Sequence, residues 1–591
     1  MAAIPNIGNR IRLTDSPWYY FEVAMKYQWV LPDPIEPQTI ESISQKHHIH
    51  PTIARILLQR SISSPESISS FFNPKIENLY DPFLMKDMEP AVDRIIRALQ
   101  DGEQILIYGD YDVDGVTSVS ILYDGLFRLG GKVSFFIPSR FNEGYGVSLA
   151  GIEKAKTKKA KLIITVDCGI TAVKEIEAAT QSGMDVIVCD HHEPGDTLPS
   201  AVAVLDPKRP DDPYPFKELA GCGVSYKILQ AVVQKLKLNP AFAERYLDLV
   251  ALGTAADIVQ LIDENRIFVK VGLEKINNAP RPGIEALIKS CGLYDSEIMV
   301  STIVFNLAPR LNAVGRISNA KKAVHLLTTE SKQQARNIAR ILERENQIRK
   351  NIDEETFESA KHMIEQQVDL DRKRVIVLAN KEWHPGVIGI VASRIMEKYF
   401  RPTILISIQD GIGKGSARSS ANFDIYQAFK HLEHLLINYG GHRFAAGITI
   451  HPDKIEELDE QINEFAQSYL QIKDLIPKLN IDAEVSFDQF TAEFFNDLKA
   501  MAPFGPSNMR PVFVSRNLNV FGQPGLIGQG HIRVKLKQNA FVLDAIAYNF
   551  GEYLDQLRKP GAKVDCAYSL YENHWNGQTT IQMKIKDFEV R

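Results

Sequence analysis

From about residue 100 to residue 260, short apolar runs alternate with helical patterns, and several of the runs end in an acidic residue. Strand candidates are 104–108, 132–137, 162–166, 184–189 and 201–205; helical spacing occupies 117–129, 171–182 and 222–237. This βαβα rhythm predicts a mostly parallel sheet. In an open sheet of that kind the ligand site lies outside the carboxyl ends of the strands. Side chains at those ends converge even when 55 to 80 residues separate them along the chain.

Four places carry metal-type residues. The first is Gly109-Asp110-Tyr111-Asp112-Val113-Asp114-Gly115, after the apolar run Ile105 to Ile107. Asp167 follows the run Leu162 to Val166, Asp190-His191-His192 follows Val186 to Val188, and Asp257 follows the apolar segment Leu247 to Leu252. Carboxylates this close repel, and a divalent cation would neutralise them. The alternation Asp110, Asp112, Asp114 also opens a calcium-binding EF-hand loop, but the twelfth position there must be Glu and is Ile121, and the preceding element reads as a strand. Each residue has a plainer reading as well: Asp167 and Asp257 as helix caps, His191 or His192 as a satisfied turn histidine. Their joint placement at strand ends favours a ligand set. Hard oxygens with imidazole suit Mn²⁺ or Mg²⁺, and this many carboxylates argue for two ions.

Bulk properties narrow the class. The 591 residues carry a net charge of −5, so a nucleic-acid partner must be held by local patches. Five scattered cysteines, Cys168, Cys189, Cys222, Cys291 and Cys566, show no C-x-x-C spacing, which disfavours a disulfide framework or a zinc site and fits a reducing cytosol. No signal-peptide pattern opens the chain and no apolar run approaches the ~20 residues of a membrane span, so a cytoplasmic protein with no membrane association is expected.

Residues 1–80 read as mixed with short helical patterns, Trp18 and Trp29 serving as packing residues. The polar stretch 330–367 is almost free of Gly and Pro and spaces Leu342, Ile348 and Ile352 helically, predicting a long connecting helix. A second α/β rhythm runs from 374 to about 470, with strands at 375–378 and 403–406 around a helix at 386–399. From about 478 short strands with turn signals suggest a small β-barrel.

The Asp190-His191-His192 triplet together with Gly109 to Gly115 resembles the DHH phosphoesterase superfamily, and within it the bacterial single-strand-specific exonucleases. Further matching segments are Asn312 to Arg316, Trp383 to Arg394, Gly415 to Ser419 and Gly440 to Gly447. The resemblance implies an α/β fold of two units, a DHH unit with a mostly parallel sheet and a DHHA1 unit, joined by the long helix and followed by an OB-type barrel. The implied division is 1–80 N-terminal segment, 81–328 DHH domain, 329–370 connecting helix, 371–470 DHHA1 domain and 471–591 OB-fold nucleic-acid-binding domain. It further implies that Asp112, Asp114, Asp167, His191 and Asp257 hold two Mn²⁺ or Mg²⁺ ions, with Asp167 bridging and Asp110 and His192 at the edge as ligand or support. Asp112, Asp114, Asp167, His191 and His192 are then the catalytic group. Shorter members of the superfamily carry a metal-binding histidine where this chain has Tyr108.

In the second α/β segment, Ser416 and Arg418 are read in a loop of small residues, and His384 and Arg394 flank a glycine-rich helix start; both settings favour phosphate. With Arg316 and His442 they form the candidate substrate-binding set, the plainer reading of each arginine being a structural ion pair. In the barrel, His531, Arg533, Lys535 and Lys537 alternate with apolar residues, placing a basic row on one strand face, with Phe541, Tyr548 and Phe550 nearby. Arg533, Lys535 and Lys537 are the candidate nucleic-acid contacts. The segment Pro503 to Asn508 resembles a family loop that usually carries glycine where this chain has Ser507. The expected activity is 5′→3′ hydrolysis of single-stranded DNA to mononucleotides in repair and recombination, on strands with a 5′ end, with a RecQ-type helicase and single-strand-binding protein as partners. The alternatives are a phosphodiesterase for short oligonucleotides or cyclic dinucleotides and, in another class, a non-catalytic single-strand-binding protein.

Overall fold

In the computed structural model the apolar runs at 104–109, 162–166 and 185–189 lie side by side as parallel strands buried on both faces, which is why they read as nearly continuous Ile, Leu and Val. The structure describes residues 27–591 apart from 139–145, 295, 318, 421, 529 and 576–577; Trp18 lies outside the described residues.

The chain divides into two compact units. The first comprises Ile40–Ile352 with Phe495–Arg510. Its sheet contains β1 (Gln104–Gly109), β2 (Lys132–Phe136), β3 (Leu162–Val166), β4 (Asp185–Cys189) and β5 (Ala203–Leu205). The order is β2-β1-β3-β4-β5, and every pairing is parallel. Ile105 and Ile107 point into one core with Val116 and Val119, while Leu106 and Tyr108 point into the other with Phe136 and Ile163. Helices α1 (Val113–Arg128), α2 (Val173–Gln181), α3 (Gly221–Lys235), α4 (Leu247–Ala256) and α5 (Ala308–Ile317) follow in chain order. The segment Phe495–Arg510 is anchored to this unit by buried Arg266, whose guanidinium donates to the carbonyls of Ala502 (3.0 Å) and Pro503 (3.2 Å). Within it Ser507 adopts φ +60°, which accounts for a position where glycine is the easier residue.

Helix α6 (Lys332–Gln367) corresponds to the long polar segment. The second unit holds residues 353–494 and 511–591 with residues 27–39. Its first sheet contains β6 (Ile376–Asn380), β7 (Thr403–Gln409), β8 (Ile412–Arg418), β9 (Leu436–His442) and β10 (Ala445–Ile450), ordered β9-β10-β8-β7-β6. Only β6 and β7 pair in parallel, joined through α7 (Ile388–Tyr399). Helices α8 (Ile425–His431) and α9 (Ile455–Gln467) complete the layer. The loop expected around Ser416 and Arg418 is instead the central strand β8, bonded to β7 on one side and β10 on the other.

The barrel consists of β11 (Phe513–Ile527), β12 (His531–Gln538), β13 (Phe541–Ala547), β14 (Lys563–Trp575) and β15 (Gln578–Val590). They pair in the ring β11-β12-β13-β15-β14, and β14 pairs back to β11, leaving a closed five-stranded barrel. Trp29 belongs to this unit: its indole donates to Asp587 (2.8 Å). Among the described residues no helix is long and apolar enough to cross a membrane.

Candidate metal centre

Asp112 is the N-cap of α1, its Oδ1 accepting from the Gly115 amide at 3.0 Å. This fixes the loop after β1 and sets Asp114 in the first helical turn. The Asp114 carboxylate meets the start of α3, where the amides of Gly221 (2.6 Å) and Cys222 (2.9 Å) donate to it. A side chain at 221 is excluded, because a Cβ there would stand 2.9 Å from both Asp114 Oδ2 and Asp167 Oδ1. Asp167, directly after β3, adopts φ +58°, a conformation that costs a non-glycine residue free energy and commonly marks a functional position.

Asp190, directly after β4, is spent on support. Its oxygens accept from the amides of Ile170 (2.9 Å), His191 (2.8 Å) and His192 (3.3 Å) and pair with His192 Nδ1 (2.7 Å). It thereby orients the His192 imidazole and fixes the backbone that carries His191. His191 Nε2 is buried and, among the described residues, makes no hydrogen bond. It stands 3.1 Å from Asp167 Oδ1 and 3.7 Å from both Asp114 Oδ2 and Asp257 Oδ2. Three overlapping donor groups result, each with its atoms within 4.8 Å: Asp167, His191 and His192; Asp114, His191 and Asp257; and Asp110, Asp112 and Asp167. The structure thus gathers the strand-end residues and the helix-borne Asp257 in one place.

Electrostatics give this cluster its chemistry. Burial, reinforced by neighbouring carboxylates, raises the pKa of Asp112 and Asp257 and raises that of Asp167 well above the ordinary range. Burial lowers that of His191. For His192 burial works downward, but the bond and charge of Asp190 prevail and raise it to about 9. Asp190 is lowered, the bond and charge of His192 outweighing its burial. Crowded carboxylates around an imidazole nitrogen that, among the described residues, makes no hydrogen bond fit divalent cations of the hard, oxygen-preferring type.

Asp206, directly after β5, was not among the expected residues. It is fully buried; one oxygen accepts from the Lys208 amide at 2.8 Å, and burial with the Asp190 charge raises its pKa to about 7. The signal available in the sequence was its place behind Val204 and Leu205, the strand-end rule applied once more. Tyr108 stays in the core, its hydroxyl donating to the Gly146 carbonyl at 3.3 Å.

The candidate phosphate contacts are distributed over both units. In the first, Arg316 is on α5 beside Gly315, where a Cβ would stand 2.8 Å from the Tyr111 carbonyl oxygen, so the helix lies against the acidic loop. In the second, the Arg418 guanidinium donates to Ser416 Oγ (3.1 Å) and to the Ala417 carbonyl (2.7 Å), and both side chains crowd Gly389 in the first turn of α7. His384 Nδ1 accepts from the Gly386 amide (3.0 Å) just before that helix, and His442 is exposed at the end of β9. Arg394 is committed elsewhere: it pairs with Asp353 (3.1 Å) and Glu354 (2.9 Å) and stacks over Phe357.

On β12, Arg533 and Lys535 are exposed while Ile532, Val534 and Leu536 are buried, as the alternation requires. Phe541 and Tyr548 are exposed, whereas Phe550 packs against Phe588 and Tyr553. Neighbouring strands add Phe521, which has Lys537 over its ring, and Lys584, which lies over Tyr548 and Tyr571. Sequence reasoning missed these residues because they join the row only through strand pairing.

A parallel sheet with acidic and histidine ligands at its strand ends defines the DHH class of metal-dependent phosphoesterases, and the chain matches the DHH family N-terminal domain over 104–254 and the DHHA1 domain over 372–468. It also matches the RecJ OB domain over 481–587. The single-stranded-DNA-specific exonuclease RecJ of Bacillus subtilis is 38% identical over 96% of the chain and 71% of that protein. Its counterpart in Escherichia coli is 32% identical over 90% of the chain and 95% of that protein. The crystal structure of RecJ from Thermus thermophilus with Mn²⁺ superimposes with a TM-score of 0.81 at 29% identity, covering 95% of this chain and 79% of that one. A crystal structure of exonuclease RecJ bound to manganese matches 65% of this chain and 96% of its own with a TM-score of 0.58 at 36% identity. The chain belongs to the RecJ family of exonucleases.

Proposed function

We propose that the protein is a 5′→3′ exonuclease that removes mononucleotides from single-stranded DNA, using two divalent cations, Mn²⁺ or Mg²⁺. The observation that carries this reading is the convergence of Asp110, Asp112, Asp114, Asp167, His191 and Asp257 on overlapping donor groups. These residues would hold the cations, Asp167 being common to two of the groups. Bound there, the pair supplies an activated water and neutralises charge on the phosphate. Asp190 fixes His192 through Nδ1 and keeps the imidazole protonated near neutrality, which suits it to give a proton to the departing 3′ oxygen.

Ser416 and Arg418 would grip the 5′-terminal phosphate, with His384 and His442 of the same unit, and Arg316 of the first unit would be a separate phosphate contact. Arg394 would support α7 from behind, which amends its expected role. Arg533, Lys535 and Lys537 on the barrel would hold the strand backbone. The setting is cytoplasmic DNA repair and recombination, where a RecQ-type helicase and single-strand-binding protein would present the strand. Incubation of 5′-labelled single-stranded DNA with Mn²⁺ tests the activity: labelled mononucleotide is expected, and intact bound strand would overturn it. Arg418→Ala tests the end pocket, and unchanged activity on 5′-phosphorylated strands would remove that assignment.

A further inference from the structure

A cavity of about 460 Å³ opens in the DHHA1 unit between the chain after β8, helix α8 and helix α9. Its size is that of a small-ligand cleft, for which roughly 300–1,000 Å³ is usual. One wall is a row of three tilted rings in contact through Phe465. Phe465 of α9 lies 4.9 Å from His431 and 4.7 Å from Tyr469, with interplanar angles of 31° and 35°. Tyr469 is 62% exposed, although a ring stack built only to join the helices would be covered. Phe423 closes the floor from the core side.

The rest of the lining is polar and in part uncommitted. Asp424 is used, capping α8 through the Gln427 amide at 3.0 Å. Asn422 donates its side-chain nitrogen to the Asp474 carbonyl at 3.1 Å, which turns its amide and leaves the oxygen as an acceptor. Among the described residues the Gln427 side chain makes no hydrogen bond and Lys430 has no ion-pair partner. Two amides that can read the edge of a flat heterocycle, an aromatic wall to stack it and one ammonium for an anionic tail form the recognition set of a nucleotide.

We propose that this cavity is a second nucleotide site, binding a free nucleoside 5′-monophosphate with its base against Tyr469 and Phe465 and its phosphate near Lys430. The proposal rests on the exonuclease reading only for the origin of the ligand, which would be the reaction's own product. The site is built next to the candidate end pocket in sequence: Arg418 ends β8, and Ser419 Oγ donates to the Phe423 carbonyl at 2.7 Å, so a single short connection serves both.

The test is equilibrium dialysis of deoxyadenosine monophosphate against the full chain carrying Asp167→Ala, which removes turnover. Loss of at least about fivefold in affinity is expected with Tyr469→Ala, the effect of deleting one base-stacking ring. Lys430→Ala should weaken the monophosphate and spare deoxyadenosine; Arg418→Ala removes the end pocket's own hold on a 5′-phosphate, so in that background about one mole of monophosphate per chain should still bind and should respond to Tyr469→Ala. Both Tyr469 and Lys430 are exposed, and unchanged melting curves would show that neither substitution acts through the fold. The proposal fails if Arg418→Ala alone abolishes binding, or if Tyr469→Ala and Lys430→Ala leave it unchanged. A base of a bound strand offers the same chemistry. If the two variants weaken a short oligodeoxyadenylate and not the mononucleotide, the free-nucleotide proposal is overturned. Because no arm depends on cleavage, failure here is separate from failure of the nuclease assay.

Discussion

The ends of the DHH sheet and strand β12 of the barrel both display charged side chains at regular spacing, and they do so by opposite physics. At the sheet ends like charges are buried together, and the carboxyls of Asp112, Asp167 and Asp257 are pushed upward by burial and by one another. On β12, Arg533 and Lys535 are exposed to solvent and only loosely paired with Asp544, at 3.7 and 4.0 Å. The first arrangement is unfavourable until a cation enters; the second costs almost nothing to maintain. A buried cluster therefore specifies chemistry, whereas an exposed row specifies a surface that a polyanion can follow.

The largest effect should come from Asp167, which with His191 is one of the two residues shared by two of the donor groups. Asp167→Ala is expected to lower the rate of strand cleavage by roughly a thousandfold, several kcal/mol of transition-state stabilisation. The variant should remain folded, because loss of a buried repelling charge offsets the small added strain of alanine at a positive φ. Single-turnover cleavage and circular dichroism check the two halves, and retained cleavage would end the assignment. Asp190→Asn should cost about 10- to 100-fold, since it removes support for ligands rather than a ligand. The pH profile discriminates the mechanism. Asp190 holds His192 up at about 9, so the variant should lose its protonated imidazole at lower pH than the parent. In stability terms, the His192–Asp190 pair contributes fully below the unfolded pKa of about 6.5 and is lost as pH rises through about 9.

Much of the centre was legible because parallel strands buried on both faces leave apolar runs, and the residue after each run is at the ligand-facing end. That logic reached Asp112, Asp167 and His191, and carried one strand further it reaches Asp206. It could not reach Gly221, whose role comes from the approach of α3 to Asp114, a contact between residues 107 apart in sequence. Asp257 ends helix α4, and its pattern alone reads as a cap. The strand β8 was hidden for a different reason. Gly413, Gly415 and Ala417 lack the branched side chains of a typical strand, and the two glycines have no room for one because Ile406, Ile448 and Ile450 from the flanking strands fill the space above them. Arg394 showed the limit of motif reading: its ion pairs to α6 are formed by residues 40 and 41 positions away.

Asp206 gives a test of the buried side of the comparison that does not depend on catalysis. Its folded carboxyl is raised from the model-compound value of 3.8 to about 7, so the folded state binds the proton more tightly than the unfolded state. Stability is then lost as pH rises between these values, and the full penalty stands above 7. Asp206→Asn retains an oxygen to accept from the Lys208 amide and cannot ionise. It should melt like the parent near pH 4 and be more stable at pH 8, by up to about 4 kcal/mol on the size of the shift. Thermal melts at the two pH values check this, and an equal difference at both would show that ionisation of Asp206 is not what the fold opposes.

The exposed row should yield the smallest effects, and their salt dependence matters more than their size. Each lysine or arginine that neutralises a phosphate of a single strand releases a counterion and contributes roughly −0.7 to the slope of log affinity against log salt. Arg533→Ala, Lys535→Ala and Lys537→Ala should each weaken strand binding a few-fold at low salt and flatten that slope by up to about 0.7. None should alter the pH profile of cleavage, because none is among the groups that shift the acidic cluster's carboxyls. Phe521→Ala offers the matched control. Lys537 lies over its ring at 5.7 Å, and loss of the ring should weaken binding without changing the slope, since stacking releases no counterion. If the three cationic variants left the slope untouched, the row would be only the solvated outer face of a barrel strand. If one of them shifted the pH profile, the separation between a surface that tracks the strand and a centre that cleaves it would have to be abandoned.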